Sequence, residues 1–244
     1  MERREQLAAS LAAVHGRIEA ACQEVGRSPE ELTLVVITKF FPASDVALLA
    51  GLGVTDVGEN KDQEASAKVA ELAAEVRAAL RVHFVGQLQT NKARSVARYA
   101  DVVQSVDRPK LVRALGKAVG TALEVGERQA DLDVLLQVDL EEGEHAGRGG
   151  ALPGALDALA EAVTGTEHLV LRGLMAVAPP GLDEAGTAAA FERLQGYAAR
   201  LAGQVPSATW LSAGMSGDLE HAIRHGATHL RVGTAILGSR PDPR

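Results

Sequence analysis

The segment that decides the fold is Leu34-Val35-Val36-Ile37-Thr38-Lys39, an apolar run rich in β-branched residues that ends in a lysine. Strands rich in Val, Ile and Leu, with little alternation of polar residues, are typical of a parallel sheet that is buried on both faces. This run predicts a first strand over 33–38. Comparable runs predict seven further strands, at 54–57, 82–86, 102–106, 133–139, 169–176, 208–213 and 229–233.

Helical patterns separate these strands. They lie near 43–51, 60–79, 90–99, 108–124, 151–163, 185–202 and 216–225, with a short one from about 235. Eight strands, each followed by a helix, predict an α/β fold, a single (β/α)₈ TIM barrel. An open doubly wound sheet is the alternative. That fold more often carries a glycine-rich first turn, and Lys39-Phe40-Phe41-Pro42 contains no glycine.

An extra amphipathic helix is predicted before the barrel, over residues 2–25. Its apolar residues recur every three or four positions and therefore share one face; they are Leu7, Leu11, Val14, Ile18, Cys22 and Val25. We expect residues 1–244 to form one domain, with the barrel over about 32–240 and no C-terminal β-domain.

The composition excludes several classes of partner. A formal net charge of −7 and a pI near 5.5 argue against nucleic acid and anionic membranes. No apolar stretch approaches the roughly 20 residues that a membrane span needs. The single cysteine, Cys22, permits no internal disulfide, which suits a reducing cytosol. We therefore expect a cytoplasmic protein.

Polar residues collect where the predicted strands end, and barrel active sites lie at that rim. Lys39 ends the first strand, and a lysine there is a candidate Schiff-base amine. Two turns rich in Gly, Ser and Thr follow the last two strands, where barrels most often bind phosphate. The residues of these turns are Ser212, Gly214, Ser216, Gly233 and Thr234. An amine with a phosphate cradle suggests a phosphorylated aldehyde, and pyridoxal 5'-phosphate (PLP) fits best.

Lys39, Ser216 and the nearby Arg231 also have purely structural interpretations. Lys39 would pair with a carboxylate such as Glu59, and Arg231 would form an ion pair inside the barrel. Ser216 would cap the helix that follows it, with Asp218 in the first turn of that helix. Three charges on the helix after strand two are interpreted as solvent-exposed: Glu64, Lys68 and Glu71.

Several segments together resemble the pyridoxal-phosphate homeostasis protein family. They follow the family's order over roughly residues 33–239, and only their combination is specific. The matching stretches are 36–39, Gly58-Glu59-Asn60, Gln63-Glu64, His83-Phe84-Val85-Gly86, Leu88-Gln89, Asn91-Lys92, 135–138, 172–175, Leu211-Ser212, Gly214-Met215-Ser216, Asp218 and 231–236. This family is similar to the N-terminal barrel of alanine racemase (PLP fold type III).

The resemblance implies roles for individual residues. Lys39 would hold PLP covalently as a Schiff base, and Arg231 would lie near the pyridine nitrogen. The phosphate would be held by Ser212, Ser216, Gly233 and Thr234, and Gly214 would let the backbone approach the ligand. Asn60 and Met215 would line the ring pocket. The chain departs from the family pattern in three places: at Val82, at the pair Lys61-Asp62, and in the loop with Arg148, where relatives often carry a lysine.

Three functions remain open at this point. The favoured one is a monomeric PLP carrier for intracellular cofactor homeostasis, with little or no turnover, that passes PLP on transiently to apo-enzymes. The second is an amino-acid racemase, which needs acid/base groups on both faces of the adduct between substrate and cofactor. Alanine racemases recruit a tyrosine from a second domain, whereas this chain has only Tyr99 and Tyr197, both in predicted helices. The third is an aldolase-type barrel that uses Lys39 on a sugar phosphate.

Overall fold

The first strand, β1 (Thr33–Ile37), lies between two parallel neighbours in the computed structural model, which describes residues 2–141 and 149–239. Val36 is paired with Val57 on one side and with Val232 on the other. Each further strand pairs with the next, so the sheet closes on itself and the predicted barrel is confirmed. The other strands are β2 (Asp56–Glu59), β3 (Arg81–Phe84), β4 (Val102–Val106), β5 (Leu132–Gln137), β6 (Leu169–Met175), β7 (Trp210–Ser212) and β8 (His229–Val232).

Helices cover the outside of this barrel. They are α1 (Arg3–Glu24), α2 (Ala43–Ala50), α3 (Asp62–Glu71), α4 (Ala74–Ala78), α5 (Ala93–Tyr99), α6 (Pro109–Glu124), α7 (Leu156–Thr164), α8 (Glu184–Gln204), α9 (Leu219–Arg224) and α10 (Thr234–Leu237). Short 3₁₀ turns occupy Pro29–Glu31, Thr90–Lys92 and Pro153–Ala155. Across the described ranges, each helix is too short or too polar to traverse a lipid bilayer.

Several boundaries differ from the sequence predictions, two of them at β2 and in the helical segment that follows it. The single helix predicted over 60–79 is broken at Leu72, whose extended backbone (ψ 137°) ends α3 before α4 begins. The strand predicted over 54–57 lies two residues later, because Asp56 is the first residue in register with β1 and with β3. Its polar last residue, Glu59, gave no strand signal.

The predicted apolar stripe of α1 is buried as far as Cys22. Val25 was wrongly placed on that stripe: it follows the last helical turn and is 39% exposed. Two arginines fasten α1 to the barrel helices. Arg3 contacts Asp45 at 2.6 Å, and Arg17 contacts Glu220 at 2.7 Å.

Alternate residues of β1 point into the barrel. A Cβ added to Gly58 on β2 would lie 2.4 Å from Cδ1 of Ile37 and 3.2 Å from Cγ1 of Val35. Val36 instead packs in the main core between the sheet and the helices. Because side chains alternate along a strand, the inward series runs from Val35 through Ile37 towards the rim at Lys39.

Candidate functional site

Lys39 lies in the turn after β1, half-buried at the C-terminal rim of the barrel. The next residue, Phe40, has a left-handed backbone (φ 72°), which is uncommon for an aromatic residue. Its N–H donates a hydrogen bond to the carboxylate of Glu64, and Nζ of Lys68 donates to the carbonyl of Thr38 at 2.8 Å. Side chains of α3 therefore hold both neighbours of Lys39.

A buried ion pair lies beneath this turn. Nζ of Lys68 contacts Oε1 of Glu59 at 2.6 Å, and the hydroxyl of Thr38 donates to the same oxygen at 2.6 Å. Burial raises the pKa of Glu59 above its usual value, although Lys68 and Thr38 partly offset that effect. The cation that pairs with Glu59 is thus Lys68, so the structural interpretation of Lys39 as the partner of Glu59 is wrong.

The prediction that Lys68 is solvent-exposed is also wrong, because only 7% of its side chain is accessible. Lys68 lies on the face of α3 that packs towards the end of β1. Besides Glu59, its Nζ contacts the Thr38 carbonyl and a second carboxylate, that of Glu64, at 3.1 Å. Within the described residues, Lys39 itself forms no ion pair. Its ammonium lies 5.9 Å from the centre of the Phe40 ring, as does that of exposed Lys61.

The turn after β7 depends on a glycine. Gly214 has φ 90°, and a Cβ there would lie 2.7 Å from Cβ of Ala222. Its carbonyl accepts a hydrogen bond at 2.9 Å from the N–H of Arg231, which ties this turn to β8. Met215 follows and is 39% exposed at the rim.

Ser216 does not cap the following helix. That helix, α9, begins at Leu219, so the predicted start at 216 is wrong and Asp218 precedes the first turn instead of lying in it. The carboxylate of Asp218 accepts from the N–H of Met215 at 2.5 Å. The hydroxyl of Ser216 instead accepts from the N–H of Ala235 at 3.5 Å, which links the β7–α9 turn to the start of α10.

Gly233 and Thr234 follow β8 directly beside the Lys39 turn. A Cβ on Gly233 would lie 3.1 Å from the carbonyl oxygen of Ile37, and Thr234 is exposed. On the opposite side, Asn60 follows β2 and is half-buried. Its backbone packs so closely on Gly86 that a Cβ there would lie 2.0 Å from the Asn60 carbonyl oxygen. Strand order thus brings Lys39 between the β8 turn and Asn60.

Arg231 lies inside the barrel, 5% exposed. It donates to the hydroxyl of Ser212 at 2.7 Å and to the carbonyl of Ala176 at 2.8 Å. Burial lowers the pKa of Arg231 to about 10, so the guanidinium is still charged at neutral pH. Both acceptors are neutral, and among the described residues no carboxylate pairs with it, in contrast to the ion pair of the structural interpretation.

The sequence did not single out Gln104 or Asp56, yet both extend this polar interior. Gln104 accepts from the hydroxyl of Ser212 at 2.7 Å and contacts Nδ1 of His83 at 2.8 Å. Nε2 of His83 lies 2.8 Å from Oδ1 of Asp56. The available signal was a glutamine in the middle of a strand that begins and ends with valine. Arg148 lies outside the described residues.

These features fit a phosphorylated aldehyde with an aromatic ring. Lys39 offers an amine at the rim, and the turn after β8 lies close to the end of β1, where a Cβ on Gly233 would be 3.1 Å from the carbonyl oxygen of Ile37. Arg231 adds a buried cation whose present partners are neutral, which suits a ring-nitrogen lone pair or another electron-rich acceptor. A closed parallel barrel with this rim is compatible with the class of alanine-racemase-type barrels.

Comparison with known proteins agrees with this class and narrows it. Residues 10–241 match the family described as alanine racemase, N-terminal domain. The pyridoxal phosphate homeostasis protein of Mycobacterium tuberculosis is 45% identical over 98% of this chain and 95% of its own length. The chain belongs to the pyridoxal phosphate homeostasis protein family.

Two solved structures are similar to the fold. PipY of Synechococcus elongatus, solved with PLP bound, gives a TM-score of 0.79 at 33% identity and covers 95% of this chain and 100% of PipY. Alanine racemase of Corynebacterium glutamicum gives a TM-score of 0.65 at 13% identity. This chain covers only 61% of that racemase, so the likeness concerns the barrel alone.

Proposed function

We propose that this chain binds PLP at the C-terminal rim of its barrel, holds it as a Schiff base on Lys39, and supplies it to apo-enzymes in the cytoplasm. The observation that carries the proposal is the placement of Lys39 between the Gly233–Thr234 turn and Asn60. The PLP-bound relative PipY and the names of the curated relatives support it. To form the linkage, the unprotonated amine adds to the aldehyde carbon and one water leaves as the C=N bond forms.

The phosphate is assigned to the two linked turns. Ser216 and Thr234 provide hydroxyls there, while Gly214 allows the left-handed backbone of the first turn and Gly233 lets the second turn lie against Ile37. Ser212, also predicted to contact phosphate, already donates its one hydrogen to Gln104. In this proposal its main role is therefore to position Arg231, and a contact with phosphate stays a prediction.

Arg231 is assigned to the pyridine nitrogen, with Asn60 and Met215 beside the ring. When bound, PLP supplies an electron sink for reactions at amino-acid carbons. That sink is strongest when the pyridine nitrogen is protonated, and a guanidinium beside the nitrogen disfavours a second positive charge there. This arrangement supports a role with little or no turnover.

The racemase alternative lacks a rim tyrosine in the described chain. Tyr99 ends α5 and is buried, with its hydroxyl 3.4 Å from Asp62. Tyr197 lies in α8 and packs against the main core. Neither belongs to a strand end, where a proton donor would face a bound cofactor.

Absorption spectroscopy tests the proposal against both alternatives. Protein titrated with PLP is expected to develop the visible band of a protonated Schiff base, and Lys39→Ala is expected to lose it. Lys61→Ala, which removes the other ammonium near Phe40, is the matched control and is expected to keep the band. Efficient interconversion of D- and L-alanine would favour a racemase. A colourless protein that borohydride traps only with a sugar phosphate would favour an aldolase.

A further inference from the structure

Five buried side chains form a continuous hydrogen-bonded chain across the barrel interior. They come from β2, β3, β4, β7 and β8, and each is at most 5% exposed. The four contacts measure 2.8, 2.8, 2.7 and 2.7 Å. In order, the members of this interior relay are Asp56, His83, Gln104, Ser212 and Arg231.

The hydrogen bonds of the relay have one consistent set of directions. A guanidinium can only donate, so Ser212 accepts from Arg231, and the Ser212 hydroxyl donates its own hydrogen to Oε1 of Gln104. The amide oxygen of Gln104 is thereby occupied, and its NH₂ group is left to face Nδ1 of His83. Nδ1 of His83 must then accept, which requires the hydrogen to reside on Nε2.

The other end of the relay is a carboxylate. Nε2–H of His83 donates to Oδ1 of Asp56, and the hydroxyl of Thr55 donates to Oδ2 at 2.7 Å. Burial alone would raise the pKa of Asp56, but its interactions with His83, Thr55 and Arg81 together outweigh burial and leave the pKa below the usual value. The relay therefore connects an anion near the start of β2 with the cation of β8.

We propose that Gln104 and His83 are positioning residues for the cofactor, because they fix the hydrogen-bond polarity that orients Ser212 and Arg231. This inference rests on the proposed function in one respect: the group that Arg231 meets is taken to be PLP. The polarity of the relay itself is a property of the protein alone, so the two claims can fail separately.

Nitrogen-15 NMR of the cofactor-free protein tests the polarity directly. In the wild-type protein the ring hydrogen of His83 is expected on Nε2, with Nδ1 as the accepting nitrogen. Gln104→Glu preserves shape, and its carboxylate can only accept, so Nδ1 of His83 is expected to carry a hydrogen in that variant. His229 is the internal control: burial lowers its pKa to about 3, and its ring is expected to stay neutral.

A wild-type His83 with its hydrogen on Nδ1 would overturn the inference, as would an Nδ1 without a hydrogen in Gln104→Glu when the introduced carboxyl is ionised. The wild-type measurement needs no variant, so it decides the matter even if a substitution prevents folding.

PLP titration tests the consequence for the cofactor. Gln104→Leu interrupts the relay and is expected to weaken PLP binding on the order of tenfold, the loss that follows from one misplaced charged hydrogen bond. The visible band is expected to shift, while borohydride still traps the cofactor on Lys39. Ser105→Ala is the matched control on the same strand, because its hydroxyl is buried without a partner among the described residues.

Equal PLP affinity and equal spectra in wild-type protein and Gln104→Leu would overturn the positioning role. A wild-type protein that binds no PLP would instead contradict the proposed function, while the NMR result would still decide the polarity of the relay.

Discussion

Gly214 carries the most specific backbone requirement in the candidate phosphate site. Its φ of 90° is strained for any residue with a side chain, and Ala222 occupies the space that a Cβ would need. Its carbonyl also joins the β7 turn to Arg231 on the next strand. Adding a Cβ at Gly214 is therefore expected to disturb both turns that we assign to the phosphate.

Gly214→Ala is expected to cost about 1–3 kcal/mol of folding free energy, because the alanine must adopt a strained backbone and displace Ala222. PLP affinity is expected to fall as well. Urea unfolding and PLP titration measure the two effects. Gly217→Ala is the control, since a Cβ there meets no atom within 4 Å. Equal losses of unfolding free energy and of PLP affinity in Gly214→Ala and Gly217→Ala would contradict the assigned role of Gly214.

The element that secures the lysine turn is α3. It supplies Lys68 to Glu59 and Thr38, and Glu64 to the backbone of Phe40. The spacing of Glu64 and Lys68 is equally typical of an exposed ion pair on a helix. The sequence therefore predicted the helix but not its burial, which depends on how α3 packs over the left-handed turn at Phe40.

Lys68→Met is expected to destabilise the fold by about 3–5 kcal/mol, because it leaves the carboxylate of Glu59 buried without its cation. Urea unfolding measures this loss. The double variant with Glu59→Gln removes the stranded charge and is expected to recover most of it. Lys117→Met, at an exposed position of α6, is expected to change the unfolding free energy by less than about 0.5 kcal/mol. A single variant as stable as the wild type would contradict a structural role for this pair.

At the scale of the whole molecule, the chain combines an apolar helix–sheet core with a polar barrel interior. The sequence predicted the helix–sheet core well, because runs of apolar residues indicated all eight strands and hence the closed barrel. It predicted the candidate site residues only as strand-end positions. The interior relay escaped prediction, because Gln104 meets Ser212 across 108 positions of sequence and only barrel closure joins them.

His229 extends this polar interior to the start of β8. Its ring stacks on Trp210 at 4.4 Å, and burial lowers its pKa from 6.5 to about 3. Between these two pH values, His229 is protonated in the unfolded chain and neutral in the folded chain. Stability that is complete above about pH 6.5 is therefore lost progressively as pH falls towards 3.

Urea unfolding at several pH values measures this contribution. His229 is expected to lower the unfolding free energy by about 1 kcal/mol per pH unit below pH 6. His229→Gln is expected to have a shallower dependence in that range, although it loses the stacking on Trp210. His15→Gln, on the exposed side of α1, serves as the control. Identical slopes in the wild type and His229→Gln would contradict this, because they would show that the ring binds a proton equally well in the folded and unfolded chains.

Mass spectrometry of the PLP-loaded protein after borohydride reduction tests the central claim most directly. Reduction turns the Schiff base into a stable secondary amine, so peptide mapping identifies the lysine that held the cofactor. We predict a single pyridoxyl group on the peptide that contains Lys39 and none on peptides with Lys61, Lys68 or Lys92. A pyridoxyl group on another lysine, with Lys39 unmodified, would contradict the account.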